Sequence, residues 1–179
     1  MLSVVVNDER EPLSRKGGGP PGRYVHMAKL KLIFFDIGDT LVSKGNFIAG
    51  AEEVLKQLRA KGVRLGLLSD TANMTRAEVS KLLPPGFLDS KQFEKDLVIL
   101  SSELSAKLGH PVDKSKIEIF QHVLGLTGLS PQECLFCTED LTHTLIAQQT
   151  GMLTARLQKP PAESDIGDLI KALTDAGLL

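Results

Sequence analysis

From Lys29 onward the chain alternates short apolar runs with longer segments whose apolar residues recur at helical spacing. Leu30 to Phe35 is an apolar run of strand length that ends at Asp36. Gly50 to Lys61 places Val54, Leu55 and Leu58 on one helical face, and Gly62 stops it. Val63 to Leu68 predicts the second strand, ending at Ser69. Thr75 and Glu78 form a capping-box pattern that opens a helix ending near Leu83, where Pro84 and Pro85 halt it. Leu97 to Leu100 predicts a third strand. Ser115 to Leu124 predicts an amphipathic helix with Ile117, Phe120, Val123 and Leu124 inward. Cys134 to Cys137 is a fourth strand, Leu141 to Thr150 a helix, Leu153 to Leu157 a fifth strand, and Asp165 to Ala176 a closing helix.

Strands that are apolar on both faces, with helices between them, predict an α/β fold: a doubly wound parallel sheet in a Rossmann-type three-layer sandwich. In such sheets the ligand sits at the carboxyl ends of the strands. Polar residues stand at those ends here: Asp36, Ser69, Ser101, Thr138 and Glu139. Residues 1–28 follow a different pattern. The stretch Lys16-Gly17-Gly18-Gly19-Pro20-Pro21-Gly22-Arg23 can continue neither a helix nor a central strand. It reads as a disordered leader ahead of a folded domain over 29–179, with Met27 as an alternative start or His26-Met27 as a junction.

Composition narrows the function classes. Of 179 residues, 42% are hydrophobic and 24% charged, which allows a full core and excludes wholesale disorder. Aromatics are only 4%, so aliphatic side chains carry the packing. The net charge of −1 comes without a basic stripe, so a nucleic-acid surface is not indicated. No apolar run approaches the roughly 20 residues that span a bilayer, and no signal-peptide stretch opens the chain; the expectation is a cytoplasmic protein with no membrane partner. Cys134 and Cys137 have a C-x-x-C spacing that invites a redox or zinc reading. No second cysteine pair completes a zinc site, and both lie in an apolar run that reads as a buried strand.

The chemistry lies in Leu32-Ile33-Phe34-Phe35-Asp36-Ile37-Gly38-Asp39-Thr40-Leu41, where an apolar strand delivers a carboxylate and a glycine follows it. This segment resembles the first motif of the haloacid dehalogenase-like hydrolases, an apolar strand followed by Asp-x-Asp-Gly-Thr. Three further stretches are similar to that family's other motifs, in the same order. They are Gly66-Leu67-Leu68-Ser69-Asp70, then Asp113-Lys114-Ser115-Lys116-Ile117-Glu118-Ile119-Phe120-Gln121, then Leu135-Phe136-Cys137-Thr138-Glu139-Asp140-Leu141 followed by Gln148-Gln149-Thr150-Gly151-Met152. The resemblance implies an Mg²⁺-dependent phosphatase-like hydrolase that forms an aspartyl-phosphate on Asp36. It implies Lys114 as the catalytic charge-neutralising residue and Ser69, with Asp70 beside it, as substrate-binding. The metal would be held by Asp36, the Gly38 carbonyl, Glu139 and Asp140. For the lysine, Lys107 lies closer to the expected spacing after Ser101-Ser102-Glu103-Leu104, whereas Lys114 aligns better with Glu118-Ile119-Phe120-Gln121. His143, just after the fourth motif, reads as a ligand or as a surface residue.

The chain also departs from that pattern. The family's second aspartate, its general acid and base, is replaced by Gly38; Asp39 is adjacent, but the neighbouring position points elsewhere. The usual Gly-Asp of the fourth motif is Thr138-Glu139, and its second acid is Thr144. These changes raise an alternative: a catalytically impaired relative that binds a phosphorylated ligand or a partner protein. The intervals from Asp36 to Ser69 and from Ser69 to Lys114 are too short for a large inserted cap. The expectation is therefore a capless site, open to a large phosphorylated substrate or closed by a second subunit of a homo-oligomer.

Overall fold

The computed structural model describes residues 2–5, 29–158 and 165–179. The first strand, β1, is Ser3–Val5, and β2 is Leu32–Phe35. A small hairpin follows, β3 (Val42–Ser43) and β4 (Asn46–Phe47), and then α1 (Ala51–Ala60). Next come β5 (Arg64–Ser69), α2 (Arg76–Lys81), β6 (Val98–Leu100), α3 (Ser101–Leu108) and α4 (Ile117–Thr127). The chain closes with β7 (Cys134–Thr138), α5 (Leu141–Gln148), β8 (Leu153–Arg156) and α6 (Leu169–Asp175).

Six strands form one sheet in the order β1-β8-β7-β2-β5-β6. All neighbours are parallel except β1, which lies antiparallel on β8. Side chains alternate across a strand, and β2 splits accordingly. Ile33 and Phe35 join a core beneath α1, α2 and α6, built on Val54, Leu55, Leu58, Val79, Leu169 and Leu173. Leu32 and Phe34 join the opposite core beneath α3, α4 and α5, with Leu104, Ile119, Phe120, Val123 and Ala147. All four residues of β2 are fully buried, as a central parallel strand covered on both faces requires. This is the predicted three-layer α/β sandwich. No helix among the described residues is long and apolar enough to cross a membrane.

Several local expectations need correction. Ser3–Val5 is an edge strand in register with Arg156, Ala155 and Thr154, so a disordered leader over 1–28 does not hold for its first residues; the Gly-Pro stretch lies outside the described residues. Helix α3 was not anticipated, because only Ser101 and Leu104 of its eight residues are buried and its periodicity is thin. In α4, Ile117 is exposed and Ile119 fully buried, so the inward stripe starts two residues later than the pattern implied. The β3–β4 hairpin also went unpredicted. Its turn residues, Lys44 and Gly45, both have positive φ (51° and 78°), as a two-residue hairpin turn of the primed type requires. Lys-Gly is not the usual Asn-Gly signal, and each strand has only two residues.

Between β2 and β5 the chain forms the hairpin and α1. Between β5 and Lys114 it forms α2, β6 and α3, which join the sheet or its two covering layers. Gly66, in the middle of β5, is required by close approach: a Cβ there would meet the Phe34 ring at 2.7 Å and the Leu97 carbonyl at 3.0 Å. Gly66→Ala is therefore expected to destabilise the protein by about 1–3 kcal/mol, read from urea unfolding. A change under a few tenths would mean that Phe34 can move aside.

Candidate active site

The register places the polar strand ends together. Phe35 pairs with Leu67 on one side and with Cys137 on the other, and the Asp36 amide donates to the Cys137 carbonyl at 2.9 Å. Asp36, Ser69 and Thr138 thus sit at the carboxyl edge of three adjacent strands, which are spaced roughly 4.8 Å apart in any sheet. All three are buried.

The Asp36 carboxylate has three partners. Its Oδ1 accepts from the Ile37 amide at 2.8 Å, and its Oδ2 accepts from the Thr138 hydroxyl at 3.2 Å and from the Lys114 ammonium. Lys114 is 1% exposed, among the most buried large side chains of the protein, and its Nζ lies 5.8 Å from the centre of the Phe136 ring. Its backbone is held by Asp70, whose Oδ1 accepts from the Lys114 amide at 3.0 Å. The two candidate lysines are thereby separated in space: Lys107 is exposed in the last turn of α3, and Lys114 meets Asp36. Lys116 is exposed and turns back to the Pro111 carbonyl.

Glu139, next to Thr138, accepts from the Thr40 hydroxyl at 2.9 Å and contacts the Thr138 hydroxyl at 3.3 Å. Thr138 therefore stands between the Asp36 and Glu139 carboxylates, but a hydroxyl has one proton to give. Its oxygen also accepts from the Asp140 amide at 3.2 Å. Thr138 thereby brings the Asp36 and Glu139 carboxylates close together at this corner. The Gly38 carbonyl is left out of the surrounding turn, whose bonds run from Val42 to the Ile37 carbonyl and from Asp39 to the Val42 carbonyl. Two carboxylates and a carbonyl are the all-oxygen donors that Mg²⁺ takes, with water completing its shell. Asp36, Gly38 and Glu139 thus fit the ion. No group of three His, Cys, Asp or Glu side chains among the described residues is placed to hold one.

Asp140 is turned to another task. It is the N-cap of α5, and its Oδ1 accepts from the His143 amide at 3.0 Å. Thr144 bonds back to the Asp140 carbonyl at 2.6 Å. Asp70 is a positioning residue, held between the Lys114 amide and His143, whose Nε2 is 3.7 Å from its Oδ2. Burial pushes the Asp70 carboxyl above its ordinary 3.8, against the opposing pull of Lys114 and His143. His143 is largely buried, and its Nδ1 has no hydrogen-bond partner among the described residues. Thr40 was not singled out from sequence, and Thr138 was noted only as a polar strand end. Their signal was a hydroxyl beside each motif acid.

Gly38 occupies the place of the expected acid, and a Cβ built on it meets nothing within 4 Å. Asp39 takes the left-handed conformation (φ 52°), which Asp tolerates better than most residues. Its carboxylate accepts from the Ser43 hydroxyl at 3.0 Å. Gly38, Asp39, Ser69 and Asp70 line one end of a cleft of about 600 Å³ that runs out between the β3–β4 hairpin and α2. The two cysteines lie in β7, free and buried; burial raises both thiols, that of Cys134 to about 11, which makes them poor nucleophiles.

Comparison with known proteins bears on this arrangement. A family model described as haloacid dehalogenase-like hydrolase matches residues 33–123. No curated protein matches the chain. Among solved structures, an uncharacterized protein from Listeria monocytogenes serotype 4b is similar over 84% of this chain and 100% of its own, with TM-score 0.64 and 17% identity. A predicted HAD-like family hydrolase from Porphyromonas gingivalis is similar over 83% and 98%, with TM-score 0.56 and 18% identity. A HAD family enzyme from Bacteroides thetaiotaomicron, an Asp-to-Ala variant in complex with magnesium and inorganic phosphate, is similar over 73% and 95%, with TM-score 0.53 and 16% identity. At such identities the likeness is one of fold.

Two outcomes follow from the buried pair. Lys114→Met, which strands a buried carboxylate, is expected to cost about 3–5 kcal/mol, whereas Lys107→Met should stay within about 0.5 kcal/mol; equal costs in urea unfolding would contradict the placement. Asp70→Asn addresses the raised carboxyl. A group whose folded pKa is raised contributes stability below its unfolded value and loses it as pH rises through the folded one. The Asn variant should therefore gain on the parent as pH climbs above 3.8, and thermal unfolding at several pH values checks the direction.

Proposed function

Since this chain belongs to the haloacid dehalogenase-like hydrolases, we propose that it hydrolyses phosphate monoesters or acyl phosphates, with Asp36 as the nucleophile. The observation that carries this reading is the Lys114 ammonium buried against the Asp36 carboxylate at the carboxyl edge of the sheet. A carboxylate there can accept a phosphoryl group, and the ammonium beside it can neutralise charge as that group transfers.

One Asp36 oxygen forms a bond to phosphorus as the bond from phosphorus to the leaving oxygen breaks. The resulting aspartyl-phosphate is then opened by water at phosphorus, which frees inorganic phosphate and returns the Asp36 carboxylate. Lys114 stays charged throughout, and Ser69 supplies a hydroxyl at the phosphoryl oxygens. Thr40 and Thr138 hold Glu139 next to Asp36. Asp36, the Gly38 carbonyl and Glu139 would hold Mg²⁺, which would supply further neutralisation of phosphoryl charge; the magnesium and phosphate bound to the Bacteroides enzyme support that choice of ion.

With Gly38 in place of an acid, no side chain at that position protonates the leaving group or activates water. Such help is worth roughly 10²–10⁴-fold. Turnover is thus restricted to substrates whose leaving group departs without a proton, such as acyl phosphates or nitrophenyl phosphate. The same residue favours a second reading, in which the site binds a phosphorylated ligand and turns it over negligibly.

The test is phosphate release from p-nitrophenyl phosphate and acetyl phosphate, with Mg²⁺ against EDTA. Asp36→Asn should abolish release, and unchanged activity would reject the nucleophile. The open space around Gly38 lets Gly38→Asp fold, and turnover of alkyl phosphates should rise by about 10²-fold. Phosphate binding by the parent with no release from any substrate would favour the binding reading.

A further inference from the structure

The cleft that leaves the reaction corner has a lining of its own. Its inner end is Gly38, Ser69 and Asp70, and its walls are apolar, with Val42, Met74 and Val79 among them. At the outer rim stand two lysines, Lys44 in the hairpin turn and Lys81 in the last turn of α2. A Cβ on Gly45 would be 3.7 Å from the Leu82 carbonyl, so the hairpin turn and the end of α2 face each other. Neither lysine forms an ion pair among the described residues, in contrast to Lys31 with Glu133 and Lys171 with Asp175. The acids in the lining are Asp39, bonded to Ser43, and Asp70, bonded to the Lys114 amide, both toward the inner end. The cleft thus runs from Gly38, Ser69 and Asp70, beside the strand end that carries Asp36, along an apolar wall, to a positive rim.

A second cleft, of about 540 Å³, opens beyond the Ala72–Asn73 turn between Ser101, Ser105 and His110 to Asp113. Gly38, Ser69 and Asp70 line the first cleft and not this one, so of the two it is the first that reaches the residues around Asp36.

We propose that this cleft receives the leaving group, and that the preferred substrate is an acyl phosphate or an aryl phosphomonoester with an apolar middle and a second anionic group, bound at its far end by Lys44 and Lys81. The inference rests on the phosphoryl-transfer reading of the corner and adds the substrate class. Lysine suits the task as a flexible point charge on an apolar stem, able to follow an anion at the rim while its methylenes extend the apolar wall. Exposed contacts of this kind are individually weak and screened by salt, so the preference is graded and falls at high ionic strength.

The experiment is calorimetric titration of the Mg²⁺-saturated protein with an alkylphosphonate and with the α,ω-alkane bisphosphonate of the same chain length, over a series of lengths. The bisphosphonate is expected to bind roughly tenfold tighter at its best length. That advantage should shrink severalfold in Lys44→Gln and in Lys81→Gln and vanish in the double variant, with alkylphosphonate affinity unchanged. Both lysines are exposed, so the variants should fold as the parent does. Equal binding of the two ligands, or an advantage that survives the double substitution, overturns the cleft assignment and leaves the corner intact. Failure of both ligands to bind overturns the phosphoryl-transfer reading together with the inference built on it.

Discussion

The carboxyl edge of the sheet depends on one ion pair, Lys114 with Asp36, nearly withdrawn from water. Removing a charge from water costs several kcal/mol, and only a close partner with further hydrogen bonds recovers it. Here the recovery is spread over the chain. The Ile37 amide and the Thr138 hydroxyl complete Asp36, while the Asp70 carboxylate anchors the backbone of Lys114. The four motif segments are therefore tied to one another electrostatically as well as by the sheet. Asp70, expected from its place beside Ser69 to bind substrate, accepts a hydrogen bond from the Lys114 amide.

The pair is placed by topology. The two strands that flank β2, β5 and β7, come from distant parts of the chain, and parallel pairing brings all three carboxyl ends to one edge. Ser69 and Thr138 meet Asp36 there for the same reason. The hairpin and α2 then rise on one side of that edge and shape a cleft whose polarity changes along its length. On the phosphoryl-transfer reading, walls of this kind would select the leaving group.

The two departures from the family pattern have different physical characters. At Gly38 and Asp39 the order of acid and glycine is inverted, so the residue with a carboxylate takes the left-handed backbone position. Such a conformation costs on the order of 1 kcal/mol for a residue other than glycine, and the Ser43 hydroxyl bond partly offsets it. At Thr138 and Glu139 a hydroxyl has been inserted between two carboxylates, and the longer acid is steadied by Thr40. The first change leaves no carboxyl side chain two residues after Asp36. The second keeps a carboxylate beside Asp36 and alters how it is held.

Periodicity alone determined the five parallel strands, the helices with a wide apolar stripe, and the polar residues at the strand ends, because burial on both faces of a parallel sheet leaves a continuous apolar run in the sequence. Residue identity in four ordered segments carried Asp36, Ser69, Lys114 and Glu139 as candidates. Tertiary structure decided what local pattern does not encode. It brought Lys114 to Asp36 and left Lys107 in solvent, a choice that spacing could not make because the loop before α4 sets the lysine's reach. It turned Asp140 into a helix cap, added Ser3–Val5 to an edge through pairing with a strand far along the chain, and built the hairpin wall from a Lys-Gly turn. Each of these depends on contacts between residues distant in sequence, whose energies exist only once the chain has folded.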